Sequence, residues 1–130
     1  MESGLPTPPK SPLTFYQVSR ENLARCNRWH PGGITDWSVS DWAMAMAGEA
    51  GEVCNAVKKL RRLEDNIASI NEPDRQLATR QEAITKIGHE LADTFLYIDL
   101  LASRLGINLT EQIVAVFNAK STEYGFPERL

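Results

Sequence analysis

The apolar residues Phe15, Val18, Leu23, Cys26 and Trp29 recur at helix-like intervals from Thr14 onward. The stretch stops at the breakers His30-Pro31-Gly32-Gly33, which predicts a first helix. The segment Asp36-Trp37-Ser38-Val39-Ser40-Asp41 offers several capping oxygens. Trp42, Met46, Val53, Val57 and Leu60 then keep a helical period, so a second helix is predicted from about 41 to about 66. The charged stretch from Arg61 to Gln81, broken by Asn71-Glu72-Pro73, reads as a helix end, a turn and a solvated helix start that together form a protruding hairpin tip. A third helix carries Ile84, Ile87, Leu91, Phe95, Ile98 and Leu105 up to Gly106, a residue suited to the left-handed conformation past a helix end. The last helix opens at Asn108-Leu109-Thr110-Glu111, where Asn108 can cap the N3 amide and Glu111 can reach back, and it stops near Gly125-Phe126-Pro127.

No strand pattern competes with these helices, so the expected class is all-α, a four-helix bundle. Residues 1–12 hold four prolines, which break helices, so residues 1–13 are expected to be a flexible tail and 14–130 one domain. The apolar face of helix three extends nearly all round between Leu91 and Leu101, and such a helix demands burial on more than one side. A homo-oligomer with helices two and three shared across the interface is the expected solution.

Apolar residues at 42% and charged residues at 24% are ordinary globular usage and exclude disordered or disulfide-scaffold classes. A net charge of −3 supplies no basic field for DNA or RNA, although a small nucleotide can still be held through a metal. Cys26 and Cys54 lie in helical patterns without metal-ligand spacing and are expected to be buried free thiols. With no apolar leader and no run of about 18 apolar residues, no membrane association is expected and the expected location is cytoplasmic.

Glu49/Glu52 and Glu90/Asp93 are the acid pairs at i,i+3 spacing, no more than chance places among 17 acids in 130 positions. Their surroundings are the signal. From Trp42 to Val57 the charged residues are Glu49 and Glu52 alone, and from Leu91 to Ser103 only Asp99 accompanies Asp93. Residues three apart share a helix face, so two facing helices can aim all four carboxylates at one point. At about 5 Å each like-charged pair would repel by roughly 3 kcal/mol at an effective dielectric of about 20. A positive charge is required there, and hard oxygen ligands suit Mg²⁺, or Mn²⁺ in its place, with open positions for substrate phosphates. Gly48 and Gly51 each weaken the helix by about 1 kcal/mol relative to Ala and suggest close approach of a ligand or another backbone.

Gly48-Glu49-Ala50-Gly51-Glu52-Val53 followed by Glu90-Leu91-Ala92-Asp93 resembles the ExxE…ExxD signature of the MazG-like, all-α nucleoside triphosphate pyrophosphohydrolases, over about residues 14 to 125. The resemblance implies a dimer or tetramer that hydrolyses the α–β phosphoanhydride of (deoxy)nucleoside triphosphates. It implies Mg²⁺ on Glu49, Glu52, Glu90 and Asp93. Tyr97 matches a substrate-contacting tyrosine of the dCTP-hydrolysing branch, and Asn118-Ala119-Lys120 resembles the Asn-x-Lys at the family's phosphate-binding end. Trp29 is a candidate to stack on the base. The chain departs from the pattern in the 37 residues between Glu52 and Glu90, in Lys59 where that branch has a base-contacting tryptophan, and in Arg20 where it has a histidine. Base preference is therefore left open.

The implied reaction needs no protein nucleophile, and Glu52, with Glu49 beside it, is the candidate acid to deprotonate the attacking water. Lys120, Lys58 or Lys59 are candidates to hold the distal phosphates. A di-iron carboxylate bundle would need Glu-x-x-His pairs, whereas Asn27 precedes His30 and Lys86 precedes His89. A noncatalytic, metal–nucleotide-binding regulatory module of the same fold is the alternative to the hydrolase.

Overall fold

The computed structural model describes residues 6–7, 11–65 and 80–130. The expected turn at Asn71-Glu72-Pro73 and most of the expected tail lie outside them. Among the described residues the protein is helical, with α1 (Phe15–Trp29), α2 (Val39–Glu64), α3 (Arg80–Leu105), α4 (Leu109–Tyr124), one 3-10 turn (Gly33–Asp36) and no strand.

Local chemistry fixes the helix ends. Thr14 caps α1: its hydroxyl accepts from the Gln17 amide at 3.1 Å, and its own amide donates to Gln17 Oε1 at 2.9 Å. Pro31 pushes His30 into extended backbone, which ends the helix. Ser38, rather than Asp41, caps α2. Asp41 serves as the reciprocal N3 residue, so the helix begins about two residues earlier than its apolar period suggests. Gly106, at φ 69°, closes α3 in the left-handed region. Asn108 caps α4 by accepting from the Glu111 amide at 3.2 Å.

Helices α2 and α3 run antiparallel: Trp42 stacks near Tyr97 with ring centroids 6.2 Å apart, and Glu64 pairs with Arg80 at 3.6 Å. Helix α1 packs across α3. Cys26, Trp42 and Leu100 form the core, flanked by Ile34, Trp37, Tyr97 and Leu101. The Trp42 indole donates to the Ile34 carbonyl at 3.0 Å, and Arg104 donates to the Trp37 carbonyl at 3.1 Å, so the loop between α1 and α2 is tied to both long helices. Between α1 and α3 lies a buried polar contact, in which Asp99 accepts from the Ser19 hydroxyl and, at 2.9 Å, from the Asn22 amide.

Among the described residues the helices number four, as the pattern predicts, but α4 turns 107° away from α3 and makes no extended contact with the other described helices. Its apolar residues Val116, Phe117 and Tyr124, with Phe126, stay exposed around an open groove of about 770 Å³. The cysteines differ from expectation in one respect. Cys26 is buried, but Cys54 is exposed, because it lies two residues from the buried Ala56 and so on the opposite side of α2.

Trp42 is 2% exposed and joins α2, α3 and the 3-10 turn, so Trp42→Ala should destabilise the fold by about 3–5 kcal/mol. Chemical denaturation followed by circular dichroism measures this, and a loss below about 1 kcal/mol would show the core to be organised elsewhere.

Candidate metal centre

The antiparallel register sets Glu49 of α2 opposite Glu90 and Asp93 of α3. One carboxylate oxygen from each of these residues lies within 4.8 Å of the others. Glu90 is 6% exposed and Glu49 half-buried, while Asp93 reaches the surface, so the group is open to solvent on one side. Glu52, one turn further along α2, is exposed and lies outside that span, yet its charge still acts on Glu49.

Burial first, then the charges of Asp93, Glu90 and Glu52, push the Glu49 carboxyl above its usual range. On the other side of the balance, Lys86 Nζ lies 2.6 Å from Glu90 Oε1. The hydrogen bond to Glu90 and that residue's charge, followed by Glu52 and Asp93, hold the Lys86 ammonium above its usual range. Lys86 was missed in the sequence, although a lysine one helical turn before Glu90 is a recognised pairing distance. The Tyr97 hydroxyl is pushed up mainly by burial, then by the Glu49 and Asp93 charges. Tyr97 packs against the core cluster and follows Asp93 by one turn of α3.

Other sequence candidates stand apart from the centre. Asn118 bonds the backbone of Leu130 through both its amide atoms, at 2.9 and 3.3 Å. Lys120, on the same helix α4, pairs with Glu123 at 2.7 Å and lies over the Tyr124 ring. Trp29 is 67% exposed with the Arg25 guanidinium 4.9 Å from its ring centroid. Lys58 and Lys59 are exposed on α2, and Arg20 pairs with its neighbour Glu21. A Cβ built on Gly48 or Gly51 meets nothing within 4 Å, so the crowding those glycines suggested is not made by any described residue.

The donor set fits a small divalent cation. Ligand oxygens of one octahedral Mg²⁺ lie about 3.0 Å apart when cis and about 4.2 Å when trans, given bonds of about 2.1 Å, so three carboxylate oxygens within 4.8 Å of one another need to close by at most about 2 Å. Comparison with protein-family models, curated proteins and solved structures yields no match for this chain. The chemistry of the centre therefore rests on its own geometry.

Because the folded state raises the Glu49 pKa, stability is lost as pH climbs from the ordinary glutamate range through the raised value. Glu49→Gln should therefore raise the melting temperature of the protein in chelator at pH 7 and above, the gain shrinking as pH falls and vanishing below the ordinary glutamate range. Thermal melts across that span test this, and a gain independent of pH would overturn it.

Proposed function

We propose that the protein is a magnesium-dependent, MazG-like nucleotide pyrophosphohydrolase that cleaves a (deoxy)nucleoside triphosphate to the monophosphate and pyrophosphate, a nucleotide-pool housecleaning activity. The observation that carries this reading is the convergence of Glu49, Glu90 and Asp93 from two antiparallel helices. Bound there, Mg²⁺ would neutralise phosphate oxygens and steady the leaving group. Glu49, Glu90 and Asp93 would hold the ion, and a change of rotamer would let Glu52 complete the set. A water oxygen attacks the α-phosphorus, the bond to the bridging oxygen breaks, and pyrophosphate departs. The water's proton passes to a carboxylate, for which exposed Glu52 is our candidate. Tyr97, one helical turn after Asp93 on α3, would lie beside the bound nucleotide in this reading.

The net charge of −3 supports a small nucleotide over a nucleic acid polymer as ligand. No single helix among the described residues is long and apolar enough to cross a membrane. The cytoplasm, where triphosphates are held, is the location this reading assigns. A homo-oligomer, dimer or tetramer, belongs to the same proposal. Met44 and Val57 on α2 and Leu91 on α3 are exposed apolar side chains on the helices expected to meet a second copy. One observation favours the noncatalytic nucleotide-binding alternative: within a protomer Asn118 and Lys120 are engaged in other contacts rather than brought to the acids.

Incubation with Mg²⁺ and a panel of nucleoside triphosphates, resolved by anion exchange, should yield monophosphate plus pyrophosphate, with Glu90→Gln lowering turnover at least about 100-fold. Diphosphate plus phosphate would mean a different hydrolase. Binding without product would favour the regulatory module. Turnover unchanged in Glu52→Gln at saturating Mg²⁺ would remove Glu52 as the base. Sedimentation at micromolar concentration should show a dimer or tetramer, and a monomer would sink the shared-interface proposal.

A further inference from the structure

The carboxylates at the centre already have a cation among them. Lys86 Nζ is 2.6 Å from Glu90 Oε1, and the two side chains differ sharply in exposure, 64% for Lys86 and 8% for Glu90. Lys86 feels the charges of Glu52 and Asp93 as well as that of Glu90, the carboxylate it touches. A divalent ion bound to Glu90 and the ammonium bound to the same residue would be cations in direct contact range, and they repel. The lysine is the one free to move. It is anchored on the solvent side of α3 by a flexible four-carbon stem, whereas Glu90 is enclosed.

We infer that Lys86 is an internal stand-in for the divalent ion, holding Glu90 while the metal is absent, yielding it when metal binds, and then offering its ammonium to the substrate's phosphates. This inference rests on the metal-centre reading above. It assigns Lys86 two opposed effects: it competes with bare metal, and it assists the metal–phosphate complex. The exchange has a physical logic. The acidic group stays partly neutralised before metal arrives, and the displaced charge is delivered one helical turn from the carboxylates, where phosphate oxygens of a bound nucleotide would emerge. The metal sets the geometry and Lys86 then adds a second positive charge on the open side.

The test is calorimetric titration of the full-length protein at pH 8, first with MgCl₂ or MnCl₂ alone and then with magnesium pyrophosphate at saturating Mg²⁺, comparing wild type, Lys86→Met and Lys86→Arg. In Lys86→Met the bare metal should bind about fivefold tighter, because a partly exposed ion pair no longer competes. Magnesium pyrophosphate should bind about tenfold more weakly in the same variant, for want of one charged donor. Lys86→Arg should stay near wild type in both titrations. Metal affinity unchanged or weakened in Lys86→Met would overturn the competition, and unchanged pyrophosphate affinity would overturn the handover. If neither wild type nor variant binds metal, the metal-centre reading itself fails. Metal binding by Lys86→Met alone would instead support Lys86 as the block. Should circular dichroism show Lys86→Met misfolded, Lys86→Gln carries the same expected signs.

Discussion

The antiparallel pairing of α2 with α3 forces like charges together, and the rest of the centre is arranged around that constraint. Trp42 against Tyr97 and Glu64 against Arg80 mark the register, and between them Glu49 meets Glu90 and Asp93. Carboxylates this close are unfavourable by themselves. The structure offsets the strain in two ways, by raising the Glu49 pKa so that its charge is more easily given up, and by setting Lys86 against Glu90. Both are responses that a divalent cation would replace with a stronger one.

The tertiary frame that imposes the register depends on aromatic packing at one end. Trp42 lies under Trp37 and His30, with ring centroids 4.6 and 5.5 Å away, and its indole nitrogen is bonded to the 3-10 turn. The buried apolar set is small for a chain of 130 residues. Much of the apolar surface of α2, α3 and α4 stays exposed, including Met44, Leu91 and Val116. The frame thus fixes one end of the α2–α3 pair firmly and leaves apolar faces elsewhere without cover from the chain's own described residues.

What was legible in the sequence follows from the range over which each signal acts. Most helix ends were readable because Thr14, Asn108, Gly106 and Gly125 act within a few residues of themselves, whereas Ser38 starts α2 about two residues ahead of its apolar period. The meeting of Glu49 with Glu90 and Asp93 was readable because acids in apolar surroundings demand a partner. Lys86 was not legible, because a lysine one turn from an acid is an ordinary solvated pair until the fold buries that acid. The detachment of α4 was hidden for a different reason. Its apolar pattern states that a face needs cover, and a pattern cannot state which surface supplies it. The exposure of Cys54 was readable in principle from its helical phase against Ala56, but thiol chemistry was weighed ahead of geometry.

Two buried acids on α3, Asp99 and Glu90, are held by partners of different kinds. Asp99 is 3% exposed and satisfied by neutral donors, the Ser19 hydroxyl and the Asn22 amide, which are carried by a packed helix and cannot leave without unpacking α1. Such a group is a fixed strut between elements. Glu90 is almost as deeply buried, 6% exposed, but its partner is an exposed lysine on the same helix rather than a residue of a second, packed helix. On the proposed reading, a buried carboxylate whose counter-charge is carried by an exposed side chain, beside two further carboxylates, suits a cation that comes and goes. Burial of charge alone does not distinguish the two acids; the charge and exposure of the partner do.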